Sequence, residues 1–326
     1  MMPARVVFFL ACLALVLSAD PVLAQPPSYP NKPIRLIVPF PPGGISDVLA
    51  RALSTKLVPA LGQQIVVENR TGAGTTLASE LVAKSSPDGY TLYLQDITTH
   101  AINTGLYRRL PYDSVRDFTL IQMLATTPLI LVVHPSLPVK SVKELIAFAK
   151  ARPGQIIYGS SGNGTIVHLS TERFKSMAGI DMVHVPFKGS PLSVVALLSG
   201  EVAVSFPTMP PALPLVQAGK LRALAVTSPK RSAAAPDVPT MIEAGLKGYE
   251  MVLYNGIIGP ANIPSAIVAR LNDEIGKAIR SAELKPTLDK VGAEPVTMTP
   301  EQFGKHLKSE IDKLGAIVRA VGARVD

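Results

Sequence analysis

The feature that most constrains this chain is a recurring order: a short apolar run, a loop of glycines and small hydroxyl residues, then an amphipathic helix. Ile34 to Phe40 (IRLIVPF) is apolar except for Arg35 and reads as a buried strand. Pro41-Pro42-Gly43-Gly44 turns the chain, and Ser46 or Asp47 can cap a helix to about Leu61 with Leu49, Ala50, Leu53 and Leu57 on one face. The unit repeats with Ile65 to Glu68 as strand, Thr71 to Thr76 (TGAGTT) as loop and a helix through Lys84, followed by a strand from Tyr90 to Leu94. Further along, Ile156 to Tyr158 leads through Gly159 to Thr165 (GSSGNGT) into a helix from Ile166 to Ala178. Val183 to Val185, a helix at Leu192 to Leu198, Val202 to Phe206 and Leu221 to Thr227 keep the rhythm, and amphipathic helices at Ser265 to Arg280 and Pro300 to Val321 close the chain. Strands alternating with helices predict an α/β fold on parallel sheets. The 326 residues, at roughly 150 per domain, leave room for two such units.

Each of the three loops stands immediately after a strand and before a helix. The first N–H groups of a helix lack intrahelical acceptors, the dipole there favours negative charge, and glycine lets a ligand approach bare backbone. Such loops suit a carboxylate or phosphate. The alternative reading of the same residues is that the glycines only make turns and Ser46, Asp47 and Thr75 only cap helices. Gly72-x-Gly74-x-x-Leu77 and Gly162-x-Gly164-x-x-Val167 miss the third glycine of a dinucleotide fingerprint, and no phosphate-binding G-x-x-x-x-G-K-[ST] loop occurs. His100, His134, His168, His184 and His306 show no metal-ligand spacing, so neither a metal nor a cofactor is expected. His168 lies one turn into a helix beside the Ser/Gly loop, where it can reach an anion or simply hold a local hydrogen bond. Asp273-Glu274 reads as a solvated helix face. No acid, base and nucleophile assemble, so the chain is not expected to be an enzyme. The enzymatic alternative is an extracytoplasmic hydrolase using Ser160 or Ser161 with His168, although Gly159-Ser160-Ser161-Gly162 does not match a nucleophile elbow.

The first 24 residues set the compartment. Arg5 precedes an apolar run from Val6 to Leu17, and Val22-Leu23-Ala24 fits a small-residue cleavage site, so residues 1–24 read as a signal peptide and the mature protein as extracytoplasmic. The run is too short to span a bilayer. Cys12, the only cysteine, lies within it, so the mature chain has no thiolate nucleophile, disulfide or cysteine-bound metal. Loss of Arg5 and Asp20 leaves 31 basic against 23 acidic residues, still +8, which favours anionic partners at long range. The basic residues are scattered, Trp is absent and aromatics are only 5%, so nucleic acid is not an expected partner.

Several of these segments resemble one family, in order along the mature chain. Ile37 to Asp47 (IVPFPPGGISD) with Arg51, Val67 to Gly74 (VENRTGAG), Pro87 to Leu92 (PDGYTL) and Asn103 to Phe118 are similar to the Bug (TctC-type) extracytoplasmic solute-binding receptors. Tyr158 to Thr165 with His168-Leu169, Val183 to Ser190 (VHVPFKGS) and Ala218 to Ser228 continue the likeness. It implies a type II periplasmic-binding-protein-like fold, with two α/β lobes, a hinge and an interlobe ligand cleft. It also implies capture of a small carboxylate in the periplasm for delivery to the membrane permease of a tripartite tricarboxylate transporter, by a receptor that is a monomer. A signalling partner in place of the permease is the other output. The contacts it implies are Phe40, Gly43, Gly44, Ser46, Asp47, Ala73, Gly74, Thr75 and Thr76 in the first lobe. In the second they are Ser160, Ser161, Asn163, Gly164, Thr165 and His168, with Lys188 and Gly189 nearby. Asp47 stays open between a cap and a contact to ammonium or water. Lobe limits are expected at 25–125 with 250–326, and at 126–249, with hinge candidates at Thr126-Thr127-Pro128 and Tyr249 to Gly256. The sequence departs from the family pattern at Thr75-Thr76-Leu77-Ala78, Pro207-Thr208 and Leu253-Tyr254-Asn255-Gly256, changes that bear on which carboxylate is bound.

Overall fold

The structure, a computed structural model, describes residues 29–325; the expected signal peptide and Cys12 lie outside the described residues. The first strand, β1 (Ile34–Val38), is buried except at Arg35, whose guanidinium pairs with Glu68 at 2.7 Å on the neighbouring strand. It is followed by α1 (Ile45–Leu61), then β2 (Ile65–Asn69), a 3-10 turn (Ala73–Thr75) and α2 (Thr76–Ala83). Next come β3 (Thr91–Asp96), which runs without a loop into α3 (Ile97–Leu106), and the long β4 (Phe118–Pro128). α1 ends where Gly62 takes a left-handed conformation (φ 69°) and returns its N–H to Val58 O, the closure that glycine makes without strain.

The second half of the α/β pattern starts at β5 (Ile130–Val133) and α4 (Val142–Lys150). It continues through β6 (Ile157–Ser160), α5 (Ile166–Ala178), β7 (Val183–Pro186) and α6 (Ser190–Leu198), then β8 (Val204–Ser205), α7 (Met209–Gln217) and β9 (Arg222–Val226). The chain then returns as β10 (Val252–Pro260), α8 (Ser265–Ile279), α9 (Lys285–Lys290), β11 (Glu294–Pro295) and α10 (Pro300–Val321). Two sheets result, ordered β11-β4-β10-β3-β1-β2 and β7-β6-β8-β5-β9.

The sheets are mixed, which corrects the all-parallel expectation. β1 pairs parallel with β2 and β3, and β6 with β7 and β8, as the βα units require. β10, arriving from the second sheet, enters the first in the opposite sense and pairs antiparallel with both β3 and β4. β5 likewise runs antiparallel to β8 and β9. The crossings lie side by side: Pro128 faces Val252 in the β4–β10 ladder, and Leu129 exchanges hydrogen bonds with Thr227 (2.8 Å to its hydroxyl, 3.0 Å from its N–H). Each sheet with its helices forms a lobe, and the loops after β1, β2 and β6 meet in the cleft between them. α3, α7 and α9 were not anticipated. α7 (MPPALPLVQ) and α9 (KPTLDK) carry proline at their starts, where the missing N–H costs nothing, and α7 also holds Pro214 in its interior. No helix among the described residues is long and apolar enough to cross a membrane.

Candidate functional site

The cleft holds a cavity of about 380 Å³ between the 3-10 turn of the first lobe and the loop after β6 in the second. Behind it lies a void of about 20 Å³, room for a single water, walled by Gly44, Ser46 and Asp96 on one side and Ser161, Ser190 and Thr208 on the other. Of the residues expected to touch ligand, Phe40, Ala73, Gly74, Thr75, Ser161, Asn163 and Lys188 line the cavity, and Phe40, Gly44, Ser46 and Ser161 line the void. Gly43, Asp47, Thr76, Ser160, Gly164, Thr165, His168 and Gly189 line neither.

The turn after β2 is constrained backbone. Ala73, Gly74 and Thr75 are all left-handed, with φ of 44°, 56° and 79°. For alanine and β-branched threonine this costs on the order of 1–3 kcal/mol each, and it persists only where the surroundings impose it. They do so through the carbonyls. Ala73 O accepts from Tyr107 OH (3.1 Å) and the Thr76 hydroxyl (2.8 Å), Gly74 O from Asn103 Nδ2 (3.0 Å), and Thr75 O from Tyr93 OH (3.4 Å). Among the described residues none accepts from the N–H groups of Ala73 and Gly74, and both residues line the cavity. Thr75 is the residue before α2, but its hydroxyl makes no cap bond; it accepts from Gln95 and Asn103 instead.

The loop after β1 differs from expectation. Neither Ser46 nor Asp47 caps α1, which starts from Gly44 without a side-chain cap. The buried Asp47 carboxylate accepts from Gly43 N–H (3.0 Å), Arg51 Nε (3.0 Å) and Asn69 Nδ2 (3.0 Å), and Asn69 also donates to Phe40 O (2.8 Å). Burial would raise its pKa, but these donors outweigh burial and hold it below the usual carboxylate range. Asp47 therefore braces the loop that presents Phe40. Ser46 Oγ accepts from Asn255 Nδ2 at 3.0 Å, tying α1 to β10.

In the second lobe, Thr165 caps α5, its Oγ1 accepting from His168 N–H (3.4 Å) and donating to Gly162 O (2.8 Å), while Ser161 donates to it (2.8 Å). His168 Nδ1 accepts from Gly164 N–H (3.3 Å), and its ring stacks on His184 at 4.2 Å, which in turn stacks on Tyr158 at 4.8 Å. Burial lowers the pKa of both imidazoles, that of His184 to about 3, so they stand neutral at neutral pH. The pairing of Ser160 or Ser161 with His168 that the hydrolase alternative needs does not form. Ser160 Oγ meets His184 Nε2 at 2.6 Å and is fully buried, away from the cavity.

Sequence reasoning missed Tyr107, Asn103, His184 and the Asp96–Thr99 pair. β3 enters α3 with no glycine loop between them, so the pattern that flagged the other strand ends was absent there. Asp96 caps α3, accepting from Thr99 N–H (2.9 Å) and the Thr99 hydroxyl, and that hydroxyl accepts from Ile166 N–H across the cleft (3.2 Å). Burial raises the Asp96 pKa to about 6 against the pull of its hydrogen bonds from Thr99 and Thr98. The lobes meet closely elsewhere too. A Cβ on Gly74 would stand 2.5 Å from Asn163 O, one on Gly189 2.5 Å from Pro41 Cδ, and one on Gly164 would overlap Leu106. No group of His, Cys, Asp and Glu among the described residues could hold a metal ion.

Two α/β lobes joined by paired crossings, with donor-rich loops facing each other over a cleft, define a solute-binding protein of the type II periplasmic class. The chain belongs to the tripartite tricarboxylate transporter receptor family, TctC, whose model matches residues 49–323. Membership makes it an extracytoplasmic receptor rather than an enzyme, and the hydrolase alternative gives way. The chain is 39% identical to BugT of Bordetella pertussis over 308 residues, 94% of each protein. Among solved structures, Rpa4515 of R. palustris with adipate superimposes with a TM-score of 0.88 at 37% identity, covering 91% of this chain and all of that one. MatC (Rpa3494) of Rhodopseudomonas palustris with bound malate gives 0.83 at 29% identity, covering 89% and 100%. Thr208 and Leu253 also line the inner void.

Proposed function

We propose that this receptor captures a small carboxylate between its lobes in the periplasm and presents it to the permease of a tripartite tricarboxylate transporter. The observation that carries the reading is the strained turn, where the Ala73 to Thr75 carbonyls are held by lobe-one side chains while the Ala73 and Gly74 N–H groups are left for an acceptor at the cavity. Relatives that hold adipate and malate support the carboxylate class. The ligand contacts proposed are the lining residues Phe40, Ala73, Gly74, Thr75, Ser161, Asn163 and Lys188, with Gly44 and Ser46 behind them. Gly43, Asp47, Thr76, Ser160, Gly164, Thr165, His168 and Gly189 are proposed as their support.

Lobe limits of 25–125 with 250–326, and 126–249, are supported by strands at 34–128 and 252–295 in one sheet and 130–226 in the other. The hinge is proposed at Thr126-Thr127-Pro128 and Tyr249 to Gly256, where the crossings run together. Closure is a population shift, because a ligand touches both lobes only when they are closed. Residues 1–24 are proposed as a cleaved signal peptide, and the mature receptor as a monomer. A thermal-shift screen of residues 25–326 against carboxylates and neutral controls tests the reading. Stabilisation confined to carboxylates is expected, and stabilisation by neutral solutes alone overturns it.

A further inference from the structure

We infer that the solute is a carboxylate whose body is bare alkyl or aryl, without an α-amino group or hydroxyls; this rests on the carboxylate reading above. The donors of the cavity are gathered on the two facing loops, at Ala73 and Gly74 of one lobe and at Asn163 of the other, where the Ser161 hydroxyl and Gly162 N–H are spent within the loop. Thr71, Gly72 and Thr75 border the first of these loops, and the wall away from both loops is carbon, formed by Pro39, Phe40, Pro186, Phe187 and Val325. Tyr107 adds a ring whose hydroxyl is already committed to Ala73 O. A hydroxyl on the ligand body facing that carbon would be buried without a partner, and an ammonium would lose its hydration without a counter-charge.

The buried aspartates of the cleft do not supply that charge. Asp47 lines neither space and is saturated by Gly43, Arg51 and Asn69. Asp96 faces only the inner void and is held by Thr99. No carboxylate among the described residues lines the cavity, and the one cationic side chain on its wall is Lys188, which is exposed. A first carboxylate at the donor-rich loops is therefore matched, a second is tolerated beside Lys188, and an ammonium is not.

Calorimetric titration of the mature receptor with matched skeletons tests this: 3-phenylpropanoate against phenylalanine and 3-phenyllactate, and hexanedioate against 2-aminohexanedioate. The unsubstituted acids should bind about 100-fold more tightly than their amino partners and about 10-fold more tightly than the hydroxy acid, as unpaired buried polar groups require. Asp326 follows Val325 in the chain, so the series is repeated with Asp326→Asn, and the same ratios are expected. Asn163→Asp, which places a carboxylate on the wall, should shift the ratio towards the amino acids by about 10-fold. Amino acids bound as tightly as their unsubstituted partners overturn the inference and leave the carboxylate reading standing. So does an amino-to-unsubstituted ratio that changes with Asp326→Asn. If no unsubstituted acid binds at millimolar concentration the inference fails, and if neutral solutes alone bind the carboxylate reading fails with it.

Discussion

Gly74→Ala separates what the left-handed turn costs from what closure costs. The backbone at residue 74 has φ 56°, and an L-residue held there costs about 1–2 kcal/mol whether the lobes are open or closed. That part lowers stability and leaves affinity alone. The new Cβ would also stand 2.5 Å from Asn163 O in the opposite lobe and 3.1 Å from Tyr107 OH. Carbon and oxygen approach comfortably only to about 3.3 Å, so the lobes must stop short by roughly 0.8 Å or one loop must distort. The obstacle is a backbone oxygen, which cannot rotate away. Overpacking of this kind costs about 1–3 kcal/mol, here paid only in the closed state, which weakens ligand binding by about 5- to 150-fold. Calorimetric titration with the tightest carboxylate and a parallel thermal melt read the two parts. Gly219→Ala is the control, since its φ is 69° and nothing lies within 4 Å of its Cβ. It should lower Tm and leave Kd unchanged. A Gly74→Ala receptor whose Kd stays within about twofold of the unaltered protein would refute the reasoning that these lobes close on each other at this point.

Four further outcomes follow from the same geometry. Asp47→Ala removes a carboxylate that holds Gly43, Arg51 and Asn69, and should lower unfolding free energy by about 2–3 kcal/mol in urea titration. Val325→Ala takes two methyl groups' worth of carbon from a half-buried wall and should weaken binding by about 1 kcal/mol, roughly fivefold by calorimetry. Lys188→Ala should weaken binding of a dicarboxylate more than that of a monocarboxylate, with the difference shrinking as salt is raised, read by titration at two ionic strengths. The His184 imidazole is held neutral by burial with its pKa lowered to about 3, whereas the unfolded chain protonates it near pH 6.5. Stability from this residue is complete above about pH 6.5 and is lost as pH falls towards 3, so Tm should drop less steeply on acidification in His184→Gln than in the unaltered protein.

The periodic part of the fold was legible from the sequence. β1, α1, β2 and β6 fall within three residues of their expected limits and α5 coincides with its own, because apolar runs and flanking glycines set those limits locally. The sense of the strands was not legible, because β10 and β5 run antiparallel only through the chain's two crossings, which no local pattern encodes. At the site, the glycines fall where the backbone takes positive φ, as Gly74, Gly162 and Gly164 all do. The side chains that make those loops work come from elsewhere: Tyr107 and Asn103 lie at the far end of α3 and His184 on an edge strand. Asp47 shows the limit most clearly. Its position suggested a cap or a ligand contact, and only the placement of Asn69, from the next strand, shows that it is a brace.

The most direct test of the account is a crystal structure of the mature receptor with the tightest-binding acid of the matched panel. The account predicts a closed cleft, one carboxylate within hydrogen-bond distance of the Ala73 and Gly74 N–H groups and of the Ser161 to Asn163 loop, and the ligand body against Phe40 and Phe187. A ligand seated outside this cavity, or touching one lobe only, would contradict it.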